Sequence, residues 1–334
     1  MTCDVLMLIG KTGSDKFLHM RGTPCVLTLN EAGIPCRALM YDDMDEIVEL
    51  IDTLNPKLVY IRSMVLTAGE TRHLAREYPD ITFISVNHSS QGDLGRSPLS
   101  MGRQTDILKL TQELDNVWFG DADETTVWGE LGYERAIWMP FPVRSIEVGL
   151  TSYVRTHTTI SLISQPRDLK NIPNQILALG LLEKRRPGEF MALVSDDLKP
   201  CYFGMLDVAG VNYSKVPFMP WEEYMAFLKN RVDIGLQCSF TESFNFVSIE
   251  HMLLGIPVVG SSAIRHIHPD LKVDPNDPHQ ICALLERAAK YKWATCVRES
   301  ALKVQSHCNR AFVEVIDRLF NRATAMVSLS QDVQ

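Results

Sequence analysis

Two glutamates bracket the chemically richest stretch of the chain, Glu242-Ser243-Phe244-Asn245-Phe246-Val247-Ser248-Ile249-Glu250, which leads into Gly255-Ile256-Pro257-Val258-Val259-Gly260. The apolar run Val232 to Leu236 reads as a strand, and Cys238 to Phe244 as the loop at its carboxyl end. Phe246 to Leu254 follows as a helix stopped by Gly255. In an open α/β sheet, such a loop and helix start are where ligands bind. Amide N–H groups left over at the helix start, near Phe244 to Phe246, suit a phosphate or a sugar oxygen. Glu250 lies about one turn into the helix, beside the stripe Phe246, Ile249 and Leu253. A carboxylate there wants paired hydroxyl donors such as a ribose diol. A second charged group, Arg167-Asp168-Leu169-Lys170-Asn171, follows the strand Thr159 to Ser164 and precedes a helix with Pro173 in its first turn. On residue type alone, its two cations read as solvated loop charges.

Together these segments resemble the E-x7-E signature, with its G-x-P-V-V continuation, and the R-x-x-K-N element of retaining nucleotide-sugar glycosyltransferases of the family 4 type. The resemblance implies the GT-B fold. It places Glu242 at the donor sugar and Glu250 on the ribose, with the backbone of Ser243, Phe244 and Asn245 holding sugar and phosphate. Arg167 and Lys170 then neutralise the departing diphosphate, two fixed cations lowering the barrier without a metal. Gln165-Pro166 stands where the family element has a glycine. Retention implies attack on the face the diphosphate leaves from, with that phosphate helping to accept the acceptor's proton.

Three further segments belong to the first part of the chain. Gly10-Lys11-Thr12-Gly13 follows the first strand, and Gly10 and Gly13 let backbone approach a phosphate, although the spacing is neither G-x-G-x-x-G nor a Walker loop. His88, in Asn87-His88-Ser89-Ser90, resembles the family's cleft histidine at the donor sugar and joins Glu242, Arg167 and Lys170 as a candidate catalytic residue. Asp93 is a further cleft candidate. Asp121-Ala122-Asp123 spells a D-x-D, but its place between a strand and the helix Thr125 to Leu131 predicts a helix cap. Asp42-Asp43-Met44-Asp45-Glu46 likewise reads as an acid-rich helix start. No metal and no cofactor is assigned; the nucleoside-diphosphate sugar is the donor substrate.

The elements that must position these residues alternate. Strand candidates are Asp4 to Ile9, Pro35 to Leu39, Lys57 to Ile61, Ile81 to Val86, Val117 to Phe119 and Ala136 to Trp138, with helices between them. A second series runs through Thr159 to Ser164, Phe190 to Ser195, Val232 to Leu236 and Ile256 to Gly260. This predicts two doubly wound, Rossmann-like α/β domains facing a cleft, with C-terminal helices. The bounds are 1–142 for the acceptor-side domain, 143–158 for a proline-broken hinge, and 159–308 for the nucleotide-sugar domain. A helix at 309–327 packs across the domains, and 328–334 is a frayed tail. In that helix Phe312, Val315, Ile316, Leu319, Phe320 and Ala323 mark one buried face. The hinge predicts closure of the domains over the donor.

The chain has 334 residues, 46% hydrophobic and 22% charged, enough for a substantial core and against disorder. Its net charge of −8 offers no global field for polyanions. Eight cysteines without C-x-x-C spacing, and no signal peptide or spanning run, predict reduced thiols in a cytoplasmic protein. The acceptor stays open among a glycan, a small molecule and a hydroxymethylated DNA base as in some bacteriophage enzymes. For DNA, Arg96, Arg103 and Lys109 are the residues that could line a basic groove. A sugar-nucleotide epimerase and a catalytically silent nucleotide-sugar binder are the rival readings.

Overall fold

The computed structural model describes residues 3–10, 22–124, 126–146, 157–164 and 167–331, with side chains as far as 320. The chain divides into two compact units, Met1–Arg144 with Gln305–Gln334, and Ser145–Val304. Most of the expected hinge, and Gly13, lie outside the described residues.

The first unit alternates β1 (Val5–Gly10), α1 (Thr23–Glu31), β2 (Cys36–Tyr41), α2 (Met44–Leu54), β3 (Leu58–Arg62), α3 (Ala68–Glu77), β4 (Thr82–Asn87), α4 (Gln91–Leu94), α5 (Pro98–Glu113), β5 (Val117–Asp121), α6 (Val127–Glu130) and β6 (Ala136–Trp138). Its six strands pair in the order β2-β1-β3-β4-β5-β6, all parallel. A strand covered on both faces needs apolar residues at every position. In β1, Leu6 and Leu8 face one core with Ile47, Ile51, Leu74 and Ile107. Val5, Met7 and Ile9 face the other, with Cys25, Leu29, Phe312, Val315, Ile316 and Leu319. Helix starts follow side-chain chemistry: Asp43 caps α2 by accepting from the Glu46 N–H, and Thr67 with Glu70 forms a capping box on α3.

The second unit contains β7 (Thr158–Leu162), α7 (Ile172–Arg185), β8 (Phe190–Ser195), α8 (Pro200–Val208), β9 (Tyr213–Val216), α9 (Trp221–Arg231), β10 (Ile234–Gln237), α10 (Phe246–Leu253), β11 (Val258–Ser261), β12 (Lys272–Val273) and α11 (Pro278–Lys290). Its strand order is β12-β11-β10-β7-β8-β9, again all parallel. The chain starts in the middle at β7, fills one side with β8 and β9, then crosses to β10 and fills the other.

The last helix, α12, spans Ala294–Gln331, longer at both ends than the expected 309–327 and continuing into the expected frayed tail. Ala323, Ala325, Met326 and Leu329 are good helix formers, which favours continuation. Its stripe Phe312, Val315, Ile316 and Leu319 is used inside the first unit, on the face of β1 and β3 that α1 also covers. One turn earlier, Asn309 clamps Val143 from both sides, accepting from its N–H at 2.7 Å and donating to its carbonyl at 3.0 Å. Gln305 donates to the Arg144 carbonyl at 2.9 Å. Among the described residues no helix is long and apolar enough to cross a membrane.

Candidate active site

In the second sheet, the order in which strands are added reverses between β7 and β10, which are parallel paired neighbours. Loops leaving their carboxyl ends diverge to opposite faces and open a crevice, the usual ligand position in such sheets. The Arg167–Asn171 segment follows β7, and the Cys238–Asn245 loop follows β10.

The two loops are tied to each other. The Phe240 N–H donates to the Leu169 carbonyl at 2.9 Å. Asn171, left-handed at φ 53°, donates its side-chain amide to the carbonyls of Cys238 at 3.0 Å and Pro275 at 2.6 Å. Gln175 accepts from the Cys238 N–H at 3.0 Å and donates to the Lys170 carbonyl at 2.7 Å. Gln237 donates to the Ile163 carbonyl at 3.0 Å. Gln175 and Gln237, which tie these loops together, are positions that sequence reasoning missed. The available signal was an amide within the face Ile172, Ile176 and Leu179, where a buried polar group must have partners.

Glu242 and Lys170 form an ion pair across these loops, their side chains only 7% and 11% exposed. The same Glu242 Oε1 accepts from Ser239 Oγ at 2.8 Å and from Asn245 Nδ2 at 3.0 Å. Asn245 is left-handed, φ 65° and ψ 79°, and caps α10 by accepting from the Ser248 N–H at 2.9 Å. That N–H is therefore spent on the cap. The expected pair of cations separates in environment: Lys170 is part-buried against Glu242, whereas Arg167 is exposed at the start of the 3-10 turn Asp168–Lys170. Asp168 pairs instead with Lys199 at 2.7 Å. Ser243 and Phe244 are half-buried, and the Phe244 ring packs against Phe246 at 5.1 Å and His266 at 5.0 Å.

Glu250 projects from α10 toward α9, where Trp221 Nε1–H donates to its Oε1 at 2.9 Å. Burial raises the carboxyl to about pH 7, with the indole bond opposing the shift only in part. The Tyr224 hydroxyl, on the same helix as Trp221, is buried with no hydrogen-bond partner among the described residues. Burial, then the nearby Glu250 charge, holds its proton well above the ordinary tyrosine range.

The Gly260 that ends the motif has a packing reason. A Cβ there would stand 2.2 Å from Ile267 Cδ1 and 2.8 Å from the Gln237 carbonyl oxygen. Gly260→Ala is expected to lose about 1–3 kcal/mol of stability, the cost of overpacking, read as a lowered midpoint in thermal and urea unfolding. A variant of unchanged midpoint would show that Ile267 and the neighbouring strand have room to move.

In the first unit, His88 follows β4. Its Nε2 lies 3.2 Å from the Tyr60 hydroxyl, and its ring packs 4.9 Å from that of Phe141. Gly10 ends β1, with Val65 Cγ1 3.2 Å from where its Cβ would be. The Asp93 N–H donates to Ser90 Oγ at the start of α4. The expected D-x-D cap is not formed. Asp121 is still in β5 and meets α6 only through the Trp128 side chain, not as a cap, and the helix's N-cap Thr126 makes no side-chain cap bond. Its Oδ1 instead accepts from the Asp123 N–H at 3.1 Å in a local turn, and burial raises its pKa to about 6. Nor do the suggested DNA-contacting residues share a face. Arg103 is half-buried and donates to the Met64 carbonyl at 3.4 Å, while exposed Lys109, about 240° further round α5, lies 3.8 Å from Asp106.

No protein-family model and no curated protein matches the sequence. Solved structures do match along nearly the whole chain. Sucrose-phosphate synthase from Thermosynechococcus elongatus is 13% identical, with a TM-score of 0.67 over 96% of this chain and 99% of that one. Trehalose-6-phosphate synthase from E. coli bound with UDP-2-fluoro glucose is 12% identical, with a TM-score of 0.65 over 95% and 98%. HepE from Anabaena, in complex with UDP and glucose, is 13% identical, with a TM-score of 0.65 over 96% and 99%. At these identities the likeness is one of architecture: the chain has the α/β fold of the GT-B structures, two parallel six-stranded sheets flanked by helices.

Proposed function

We propose that this chain is a retaining glycosyltransferase of the family 4 type, moving a sugar from a nucleoside-diphosphate sugar to an acceptor. The observation that carries this reading is the part-buried Lys170–Glu242 pair, held on two mutually bonded loops at the switch point of the second sheet. Glu250 accepts from the ribose diol. Lys170 and Arg167 balance the charge that grows on the departing diphosphate, so no metal is required for that role. Glu242, with the backbone of Ser243, Phe244 and Asn245, orients the sugar. In the reaction the bond from the anomeric carbon to the phosphate oxygen breaks, the acceptor oxygen bonds on the same face, and the acceptor's proton passes to the released phosphate.

The similar structures holding UDP with glucose, or UDP-2-fluoro glucose, make UDP-sugars the first donors to test. Eight free thiols and the lack of a spanning helix among the described residues support a soluble, cytoplasmic enzyme. Calorimetry with UDP, GDP and ADP, then mass spectrometry of incubations with the matching nucleotide sugars and glycan, metabolite and hydroxymethylated-DNA acceptors, tests the proposal. The expected result is tight binding of one nucleotide and a glycosylated product of retained configuration. An isomerised nucleotide sugar formed without any acceptor would replace transferase by epimerase, and nucleotide binding with no turnover of any donor would leave a binding protein.

A further inference from the structure

Behind Glu242 lies a buried polar relay to which the transfer reading gives no role. Its far member is His266, 9% exposed, in the turn between β11 and β12. His266 Nε2 lies 2.6 Å from Ser248 Oγ, and that hydroxyl lies 2.8 Å from the main-chain carbonyl of Asn245. A carbonyl oxygen only accepts, so the single hydroxyl proton of Ser248 belongs to Asn245. The lone pair left on Ser248 then faces the imidazole, and a proton on Nε2 makes both contacts hydrogen bonds. The reverse assignment leaves two oxygens 2.8 Å apart with no proton between them. Burial, then nearby Lys272, pushes the His266 pKa down to about 3, so the ring is neutral under physiological conditions.

At the near end, the Asn245 side chain donates to Glu242 at 3.0 Å and to Gln237 at 3.2 Å. Its backbone is left-handed, a conformation Asn adopts more readily than other residues with a side chain. The carbonyl gripped by Ser248 and the amide aimed at Glu242 belong to this one residue. His266 is itself fixed, its ring against Phe244 and its neighbour Ile267 filling the space over Gly260.

We propose that His266 is a positioning residue, whose Nε2–H donates to Ser248 so that the Ser248 hydroxyl holds the Asn245 carbonyl and keeps the Asn245 amide on Glu242. Its part in turnover rests on the glycosyl-transfer reading; its part in holding Asn245 does not. His266→Gln retains an N–H donor at similar reach, His266→Leu removes it, and Ser248→Ala removes the link between. The side-chain amide of Asn245 in the full chain, followed by NMR, is the readout independent of activity. In wild type and His266→Gln its protons should exchange slowly with water. In Ser248→Ala and His266→Leu exchange should quicken at least tenfold, and long-range imidazole ¹⁵N spectra of the wild type should show the Nε2–H tautomer from pH 5.5 to 8. Release of UDP from UDP-glucose should fall at least tenfold in the same two variants, with UDP affinity within threefold of wild type. Unchanged amide exchange in Ser248→Ala, or an Nδ1–H tautomer, overturns the relay whatever the activity. Failure of the wild type to bind UDP, GDP or ADP, with the amide behaving as stated, overturns the transfer reading and leaves the relay standing.

Discussion

Lys170→Met is expected to destabilise the protein by about 3–5 kcal/mol, because it leaves the Glu242 carboxylate buried without its cation. Ser239 and Asn245 still donate to that carboxylate, but neutral donors do not replace a charge. Glu242→Gln, which keeps an acceptor oxygen for both, should strand the ammonium instead and lose a comparable amount. The double variant Lys170→Met with Glu242→Gln buries no unbalanced charge and should recover most of the loss, a coupling of several kcal/mol in the double-mutant cycle. Activity should not follow stability. Under the proposed transfer function all three variants lack a group assigned to the leaving diphosphate or the sugar, and turnover should fall roughly 10²–10³-fold in each. Urea unfolding and donor turnover, measured on the same preparations, separate the two effects. Additive stability losses would mean that the pair contributes nothing as a pair, and activity recovering with stability in the double variant would remove both residues from the reaction.

The second large effect is a pH dependence of nucleotide affinity set by Glu250. Under the proposed function a ribose diol donates to the ionised carboxylate, while burial in the folded protein holds the proton up to about pH 7. Affinity for UDP-glucose, whose diphosphate does not titrate in this range, should therefore rise by up to tenfold per unit as pH increases toward 7 and level off above it, with one proton released on binding below that point. Glu250→Gln should be flat across the range, and Glu250→Ala should bind about 10- to 150-fold more weakly at pH 8, the loss of a hydrogen bond to a charged group. Stability runs the other way. A carboxyl whose folded pKa is raised from 4.5 to about 7 binds its proton more tightly when folded, so its ionisation costs stability progressively between those values. Glu250→Gln should match wild type near pH 4 and exceed it by about 2–4 kcal/mol above pH 7. Calorimetry in buffers of different ionisation enthalpy checks the proton count. A pH-independent Kd in the wild type would place Glu250 away from the ribose.

The alternation of strands and helices was legible because strands covered on both faces must be apolar throughout, as in Val5 to Ile9. The paired glutamates were legible because motif and loop coincide at one sheet edge. Other features were not. The edge strand Tyr213–Val216, half exposed and four residues long, and the two-residue Lys272–Val273 carry too little pattern to stand out. Asp277-Pro278, followed by Ile281, Cys282, Leu285 and Ala288, is a capped periodic helix start that the sequence reading passed over. Asp121 misled because a capping residue and an Asx-turn residue have the same composition and differ only by where the next helix begins. Gln175, Gln237, Trp221 and His266 act on the site across the sheet, through contacts that distances along the chain do not encode.

The clamp of Asn309 and Gln305 on Val143 and Arg144, with the Phe312 to Leu319 stripe beyond it, sets an order of assembly during synthesis. One entire face of the first sheet receives its final covering from a helix made after the whole second unit. At about 5–20 residues per second, ribosomes take on the order of ten to thirty seconds to make that insertion. The nascent first sheet spends that interval with Val5, Met7, Tyr60 and Ile84 incompletely covered, while the continuous second unit has all the residues it needs. Chaperone demand and truncation sensitivity should therefore concentrate at the start of the chain, although the missing piece is at its end. A released chain ending at Val304 should present a protease-resistant second unit joined to a first unit that is still cleaved.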